Sequence, residues 1–337
     1  MNRKTNVLIL GAGVGGLAAA AWCKNYGLDF ILVDKEKSIP RNLHNGVHYL
    51  HSIPELPFEM PIRKITLTDG VLMNHGVISD HASLNAALEY SEKVRDIQHP
   101  SSIMNVGKET EAYMPESGNL DKLIDGFVEY IPTDNFIFLY HLDSIGQQNK
   151  VVYFTNSDYK KEFAIEYEHI ISTIPLGVLC KAMLIDTPEL NSNPIYVSNY
   201  KVNGIVPNWL INLYVPSLRY PMYRASLLNG VCSVESIRPL TEVELNVVVK
   251  DTLSMFHIGE LIEKYTWETG KVVSISIQER EKIVDELHEM SIYSIGRFGL
   301  HNRKLLVDST INQAYHVASS FTGLGIRWPE LRTLLTN

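Results

Sequence analysis

The sequence predicts an α/β protein built on a parallel sheet with helices packed against it. The first observation is a run of four apolar residues, Val7 to Leu10, which is typical of a buried parallel strand. The second is the G-x-G-x-x-G turn at residues 11–16, which leads into an alanine-rich helical run that Gly27 ends. The third is another apolar strand, Phe30 to Val33. Together they make a complete βαβ unit.

The residue types of this unit predict binding of a dinucleotide. Gly11 permits a tight turn out of the strand, Gly13 lets a pyrophosphate approach the backbone, and Gly16 lets the helix pack closely. The helix N-terminus offers N–H groups and a partial positive charge to the phosphates. Asp34 follows the glycines by about 20 positions, the distance at which an acid accepts hydrogen bonds from a ribose.

An alternative interpretation of the N-terminus is a secretory signal peptide. Arg3 and Lys4, followed by the apolar run from Val7 to Trp22, imitate its charged and apolar parts. The clustered glycines weaken a membrane helix, and the chain continues directly into the second strand. We therefore favour the βαβ interpretation.

Length and composition indicate a soluble globular protein of about two domains. The chain has 337 residues, of which 45% are hydrophobic and 20% charged, and its net charge of −8 gives no global basic footprint for nucleic acid. After the first apolar run, none is long enough to span a bilayer, so no membrane partner is expected. The three cysteines are widely spaced, which fits a reducing cytoplasm. The oligomeric state is left open.

Residues 38–51 form a loop that carries His44, His48 and His51. Their spacing would share one helical face, but Gly46 and Tyr49 disfavour a helix, and neither a carboxylate nor a cysteine completes a metal-ligand set. No metal is therefore expected. His48 is a candidate for contact with the cofactor, and a purely structural loop histidine is the alternative.

The middle of the chain predicts strands of a second sheet and one notable arginine. Ile62 to Ile78 reads as a hairpin that turns at Asp69-Gly70, and Glu109 to Met114 reads as the beginning of a helix. Arg224 stands among apolar residues of a predicted strand. A buried arginine needs a partner, which is either an anionic group of a substrate or an internal carboxylate.

The C-terminal part predicts a second anion-binding turn. A short strand, Ser291 to Ile295, precedes Gly296-Arg297-Phe298-Gly299, and a helix runs from Asp308 to Ser319. A glycine turn between a strand and a helix can bind an anion, and Arg297 can add a bidentate phosphate contact. The alternative is an ordinary turn with a surface arginine.

These motifs together resemble a known superfamily. The segments GAGVGGLAAAAW with Asp34, GNLDKLID, ISTIPL and GRFG…DSTI are similar, in this order, to segments of the flavoproteins that include the amine oxidases, protoporphyrinogen oxidase and UDP-galactopyranose mutase. The chain looks like a short, divergent member, and NGVHYLH and GRFGLHNRKLLVDSTI look most like the mutase branch. The stretch Lys304 to Leu306 lacks the tyrosines of that branch.

The resemblance implies FAD as the cofactor and assigns residues to it. It places Gly11, Gly13, Gly16 and Asp34 on the adenosine diphosphate, and Gly296, Arg297 and Asp308 near the pyrophosphate and ribityl chain. It places His48 near the isoalloxazine and makes Arg224 a substrate-facing residue; these two are the candidate catalytic residues. The implied fold is α/β, with a discontinuous Rossmann-like FAD-binding domain at 1–60, 130–175 and 290–337 and an α+β substrate domain at 61–129 and 176–289.

Two enzymatic hypotheses and one non-enzymatic hypothesis follow. The first is an FAD-dependent oxidoreductase that oxidises a carbon next to nitrogen with C–N cleavage, on a small-molecule amine or on an amino group of a modified nucleic-acid base. The second is a redox-neutral mutase acting on a nucleotide sugar. The third is a flavin-binding scaffold or sensor. Because the cofactor carries the hard chemistry, the lack of a Ser-His-Asp set or paired carboxylates contradicts none of them.

Overall fold

The computed structural model describes residues 2–40, 48–72, 78–94, 103, 109–116, 119–156, 158, 161–203 and 210–337. Its strands, in chain order, are β1 (Asn2–Leu10), β2 (Phe30–Val33), β3 (Ile62–Leu72), β4 (Ile78–Ser79), β5 (Glu109–Pro115), β6 (Phe136–Ile137), β7 (Tyr140–Gly146), β8 (Val151–Asn156), β9 (Glu162–Ser172), β10 (Ser192–Val202), β11 (Leu210–Tyr214), β12 (Met222–Leu228), β13 (Val231–Ser236), β14 (Ile258–Val272) and β15 (Ile292–Ser294). Its helices are α1 (Val14–Asn25), α2 (Leu84–Lys93), α3 (Asp121–Tyr130), α4 (Leu176–Met183), α5 (Val249–Thr252), α6 (Ile277–Glu289), α7 (Gly296–Gly299), α8 (Val307–Ser320) and α9 (Trp328–Thr336).

The first sheet is the parallel sheet that the sequence predicts. Strand β1 pairs in parallel with β2 on one side and β9 on the other, while β6 extends the sheet beyond β2 and β15 pairs with the end of β9. Strands β7 and β8 add an antiparallel edge. Helices α1, α3, α8 and α9 cover one face, and α4 and α6 cover the other. The carboxyl ends of β1, β2, β9 and β15 therefore meet at one edge, where α/β sheets bind ligands.

The N-terminal run folds into the βαβ unit rather than a free apolar segment. Residues Val7–Leu10 are buried between two strands, and the helix after them is buried along Leu17–Cys23. Gly27 takes a positive φ of 68° and donates its N–H to the carbonyl of Lys24, which ends the helix as expected. The prediction for this unit is confirmed.

The second sheet is mainly antiparallel and has eight strands among the described residues. Its strand order is β14-β10-β13-β12-β11-β3-β4, with β5 paired to β3, and β11 and β3 form its one parallel pair in that order. A helical segment that includes α5 covers one apolar face through Leu245, Val249 and Leu253. Helix α2 covers part of the opposite face. The predicted fold class, an α/β domain with an additional α+β part, is confirmed, while the proposed domain boundaries remain a prediction.

Two local predictions are wrong. Glu109 to Met114 is not the beginning of a helix: it lies in β5, where the alternation of exposed Glu111 with buried Ala112 and Met114 follows the strand period. Asp69-Gly70 is not a turn, because β3 continues through it to Leu72. Strands β3 and β4 do pair antiparallel, as the hairpin prediction requires, and residues 73–77 between them lie outside the described residues. Pairing with β11 explains why these two turn-forming residues lie in a strand.

Lys93 links helix α2 to the second sheet. Its side chain is buried, and its ammonium donates to the carbonyls of Val215, Ser217 and Met222, at 2.7 Å for Val215 and 3.0 Å for Met222. Three acceptors match the three donors of an ammonium. Burial lowers the pKa of Lys93 to about 7, so this buried amine titrates near neutral pH.

We expect Lys93→Met to destabilise the fold by about 3 kcal/mol, because it leaves carbonyls of the segment before β12 without a donor. Urea unfolding followed by circular dichroism measures the difference. Glu92→Gln, at the exposed neighbouring position, is the matched control and should be neutral. Equal stability of Lys93→Met and the wild type would contradict this role.

Candidate functional site

Gly11 and Gly16 shape the turn at the end of β1. Gly11 has a φ of +99°, and a Cβ atom there would lie 2.5 Å from Thr173 Oγ1. A Cβ atom at Gly16 would lie 1.8 Å from the carbonyl oxygen of Gly11. These positions therefore require glycine for backbone conformation and for close packing of α1 on the strands, as predicted from the sequence.

Gly13 faces open space at the N-terminus of α1. Among the described residues, apart from its own chain neighbours and helix backbone, no atom lies within 4 Å of an added Cβ atom, and no described side chain caps the helix. The free N–H groups of the first turn and the helix dipole therefore meet a space that the described atoms do not fill. This combination of an uncapped helix and an open glycine fits a pyrophosphate.

Asp34 lies at the end of β2, directly beside the glycine turn. Its Oδ2 accepts the N–H of Ala12 at 2.5 Å, and its Oδ1 accepts the N–H of Glu36 at 2.8 Å. The half-buried carboxylate thus fixes the turn and keeps further lone pairs for other donors. Its position fits the predicted role of accepting ribose hydroxyls.

Asp308 provides a buried acceptor at the beginning of α8. It is 4% exposed, and its Oδ2 accepts both the N–H of Ser52 at 3.1 Å and the Ser52 hydroxyl at 2.8 Å. Its Oδ1 is buried and has no partner in the described part of the chain. A buried carboxylate oxygen without a donor is rare in native proteins, so it points to a donor on a ligand.

Gly296 and Arg297 lie between the strand β15 and the helix α8, as the sequence predicts. Residues Gly296–Gly299 form a helical turn of their own, and α8 begins only at Val307. Gly296 has a φ of +78°, and a Cβ atom there would lie 2.9 Å from Thr310 Cγ2. Arg297 donates its Nε to the carbonyl of Leu305 at 3.0 Å, and burial together with the charge of Arg224 lowers its pKa. Its predicted phosphate contact stays a prediction.

Thr310 shows that the two sequence-predicted halves of the site converge. Its methyl group lies where Cβ atoms at Gly15 of α1 and Gly296 of α7 would clash, 2.7 and 2.9 Å away respectively. The N-terminal glycine turn and the C-terminal glycine turn therefore meet around one side chain. This convergence places the predicted cofactor residues at one edge of the first sheet.

Arg224 has an internal carboxylate partner, the alternative that the sequence left open. Its Nε donates to Glu235 Oε1 at 3.1 Å, and its Nη2 donates to the same oxygen. The Tyr223 hydroxyl donates to Glu235 Oε2. Burial raises the pKa of Glu235, but the charge of and hydrogen bonds from Arg224 outweigh burial and hold it below its usual range. The Arg224 side chain stays 25% exposed, so its predicted substrate contact remains a prediction.

Lys271 is a site residue that the sequence interpretation missed. Its Nζ lies 4.5 Å from the centroid of the Tyr223 ring and 5.6 Å from that of Tyr90. Burial lowers its pKa to about 7, with the charge of Glu235 opposing and that of Arg224 adding to the shift. Lys271, Arg224 and Arg297 thus bring three cationic groups within electrostatic range of one another.

A row of polar side chains crosses the face of the second sheet that carries Arg224. Cross-strand neighbours in register share a face, and this row consists of Asp69, Asn212, Ser226, Ser233 and Asn199. Tyr214, Arg224 and Glu235 form the adjacent row. We call these two rows the polar face. The available signal was the recurrence of Asn, Ser and charged residues at every second position of otherwise apolar strands.

His48 lies where the two sheets approach each other. Its ring stacks on Trp267 of β14, with centroids 5.3 Å apart and planes 6° apart. Tyr49 accepts a hydrogen bond from Asn212 of the polar face at 3.3 Å, and Ser52 contacts Asp308 as described above. The segment 48–52 therefore joins the polar face to the edge of the first sheet that carries the predicted cofactor residues, which we call the cofactor edge. His44 and Gly46 lie outside the described residues, and contact of His48 with a flavin stays a prediction.

In the described ranges of the chain, no group of three or more His, Cys, Asp or Glu side chains is arranged to hold a metal ion. None of the helices in those ranges is long and apolar enough to cross a membrane.

Comparison by sequence identifies no relative, whereas comparison by structure does. No protein-family model and no curated protein sequence matches the chain. Reduced UDP-galactopyranose mutase has a TM-score of 0.70 at 15% identity, with 99% of this chain and 96% of that chain covered. A putrescine oxidase redesigned in its cofactor binding has a TM-score of 0.56 at 9% identity, with 96% and 100% covered.

A third similar structure is aklavinone-11 hydroxylase in complex with FAD and aklavinone. Its TM-score is 0.59 at 11% identity, and 96% of this chain covers 63% of that one. The three proteins share a fold although the reactions that their names imply differ. The chain therefore shares the fold of these three proteins.

Proposed function

We propose that this protein is an FAD-dependent oxidoreductase that oxidises a carbon next to nitrogen in an anionic amine, with cleavage of the C–N bond. The observation that carries the proposal is the cluster formed by Arg224 and Lys271 of the second sheet with Arg297 of α7, next to the acid Glu235 on the same sheet. Such a face complements a substrate that has both a negative group and an amine.

The residues at the edge of the first sheet fit FAD. Gly13 and the N-terminus of α1 would hold the pyrophosphate, Asp34 the adenosine ribose, and the unpartnered Oδ1 of Asp308 a hydroxyl of the ribityl chain. Gly296 permits the close packing that brings α7 and α8 to this edge. Bound FAD would supply a two-electron acceptor for a hydride from carbon.

The cationic cluster supports an anionic substrate group. The hydrogen bonds of Arg224 to Glu235 use Nε and Nη2, which leaves Nη1 for another acceptor. The ion pair also holds the guanidinium in place, so little side-chain entropy is lost when it binds a ligand. Lys271 gains a proton readily below its pKa of about 7, and a bound anion favours that charged form.

A redox-neutral mutase is the second candidate. The observation that favours it is the similarity to reduced UDP-galactopyranose mutase over nearly the whole of both chains. A nucleotide sugar would present its phosphates to the same cationic cluster. The stretch Lys304 to Leu306 offers no tyrosine for the sugar, which is why we place this candidate second.

Anaerobic mixing separates the two candidates. We expect the oxidised flavin absorbance of the purified protein to bleach on addition of anionic amines, tested from glycine to 6-aminohexanoate and with an aminomethyl-substituted nucleotide. Bleaching with release of aldehyde would support oxidation. If no amine reduces the flavin, but the protein isomerises UDP-galactopyranose after dithionite reduction, the mutase would replace this proposal. If no amine reduces the flavin and no isomerisation occurs after dithionite reduction, the protein would be a flavin-binding scaffold.

The fit of Gly13 to a pyrophosphate predicts that a substitution at this position can abolish FAD binding without unfolding the protein. Gly13→Asp should abolish retention of FAD, because it places bulk and negative charge at the pyrophosphate. Gly13→Ala is the matched control and should fold with wild-type stability, since its Cβ atom meets no atom of the described part of the chain within 4 Å beyond its own neighbours and helix backbone. Flavin absorbance per folded protein measures the effect. A folded Gly13→Asp variant with stoichiometric FAD would refute the assignment.

Lys271 predicts the pH dependence of substrate binding. Lys271 is charged below its pKa of about 7 and neutral above it, so KM for the anionic amine should rise as pH increases from 6 to 9. Lys271→Met should raise KM about tenfold at pH 6 and flatten the profile. Lys271→Arg stays charged and should keep a low KM at pH 9. The proposal fails if Lys271→Met leaves KM and its pH dependence unchanged.

A further inference from the structure

We infer that Asp69 and Asn212 form the subsite for the amine nitrogen of the substrate, and that Asp69 accepts a proton from it. This inference deepens the proposed function and rests on it for the reaction. The binding subsite itself requires no turnover, so it can be tested separately.

Two buried oxygens without donors mark this subsite. Asn212 is 0% exposed, and its Oδ1 has no hydrogen-bond partner within the described ranges. Asp69 is its neighbour in register across β3 and β11, and Asp69 Oδ1 is also buried without a donor there. The Asn212 amide nitrogen donates a hydrogen bond to the Tyr49 hydroxyl oxygen at 3.3 Å. Leaving two such acceptors unpaired is unfavourable, so a ligand that brings donors would be bound here.

The surrounding charges favour an ammonium over a neutral donor. Burial raises the pKa of Asp69, while a side-chain hydrogen bond with Asn212 and then the charges of Arg224 and His51 oppose the shift. Tyr49 and Tyr214 also interact with Asp69 electrostatically. Arg224 donates to Glu235 and not to Asp69, so Asp69 Oδ1 remains an acceptor for a cation. An ammonium has three donors and can serve both oxygens at once, whereas a hydroxyl has one.

The amine subsite and Arg224 lie at separate positions on the polar face. Asp308 at the cofactor edge interacts with Tyr49, which binds Asn212. Arg224 is two strands from Asp69 and one side-chain row away, which corresponds to about 12 Å between Cα atoms. The substrate class is therefore an amino compound whose anionic group lies several bonds from its nitrogen.

The proposed reaction transfers one proton and one hydride from the substrate and then hydrolyses the product. An N–H bond of the substrate ammonium breaks, its proton moves to the Asp69 carboxylate, and the nitrogen keeps the electron pair. Bound FAD would supply the acceptor for a hydride from the carbon next to nitrogen, which would leave an iminium ion on the substrate. Water adds to that carbon, the C–N bond breaks to give an aldehyde and an amine, and Asp69 returns its proton to solvent.

Equilibrium dialysis with labelled methylammonium tests the subsite without turnover, on the flavin-loaded protein. We expect saturable binding of one equivalent, at least tenfold weaker binding in Asp69→Asn, and unchanged binding in Asp80→Asn, where an exposed aspartate is replaced. Tetramethylammonium carries the same charge but no N–H donor, and it should not compete. Binding should weaken as the pH is lowered through the raised pKa of Asp69, because protonation removes the negative charge.

Three results would overturn the inference: no saturable binding to the wild type, wild-type affinity in Asp69→Asn, or full competition by tetramethylammonium. The last comparison needs only the wild type and therefore decides the question even if Asp69→Asn does not fold. Amine oxidation that persists at wild-type rate in Asp69→Asn would remove this inference and leave the proposed function intact. Ammonium binding without any amine oxidation would support the subsite and remove the proposed function.

Discussion

The hydrogen bonds from Ser52 to the Asp308 carboxylate are the contact on which the arrangement of the site depends. They anchor the segment 48–52 at the beginning of α8, and Tyr49 in the same segment binds Asn212 of the second sheet. The cofactor edge and the polar face are thereby joined through buried groups at both ends. Leaving a buried carboxylate oxygen without a donor is unfavourable. This contact therefore fixes the position of the segment 48–52 and also gives Asp308 Oδ2 its donors.

The polar face illustrates how a buried charged site is stabilised. Arg224 and Glu235 pair directly across β12 and β13, and the Tyr223 hydroxyl satisfies the second carboxylate oxygen. Buried ion pairs contribute little net stability because desolvation opposes their attraction, so their retention needs another reason. Orientation of a guanidinium toward a ligand is such a reason. The apolar face of the same sheet, packed on the helical segment around Val249, supplies the compensating burial.

The sequence was most informative where local rules decide the structure. Gly11, Gly16 and Gly27 were predictable because a positive φ or a close approach excludes other residues, and the structure confirms each requirement. The polar face was not predictable in the same way. Asp69 and Asn212 are neighbours only through pairing of strands far apart in the chain, and Asp69-Gly70 looked like a turn. Long-range pairing overrode that local preference.

Arg224 and Lys271 show the same limit within the site. The sequence could identify Arg224 as an arginine that needs a partner, but not choose between Glu235 and a substrate. Lys271 lies at the end of a long strand with no motif around it, and only its approach to the Tyr223 ring reveals it. The residues proposed for the substrate are thus brought together by tertiary contacts, whereas the glycine turn proposed for the dinucleotide is set by spacing along the chain.

The most direct test of the account is the visible absorption spectrum of the purified protein, followed by mass spectrometry of the nucleotide released on denaturation. The account predicts the two absorption bands of an oxidised flavin and release of one equivalent of FAD. A colourless protein that releases NAD, or that takes up no FAD when it is supplied in excess, would contradict the central claim.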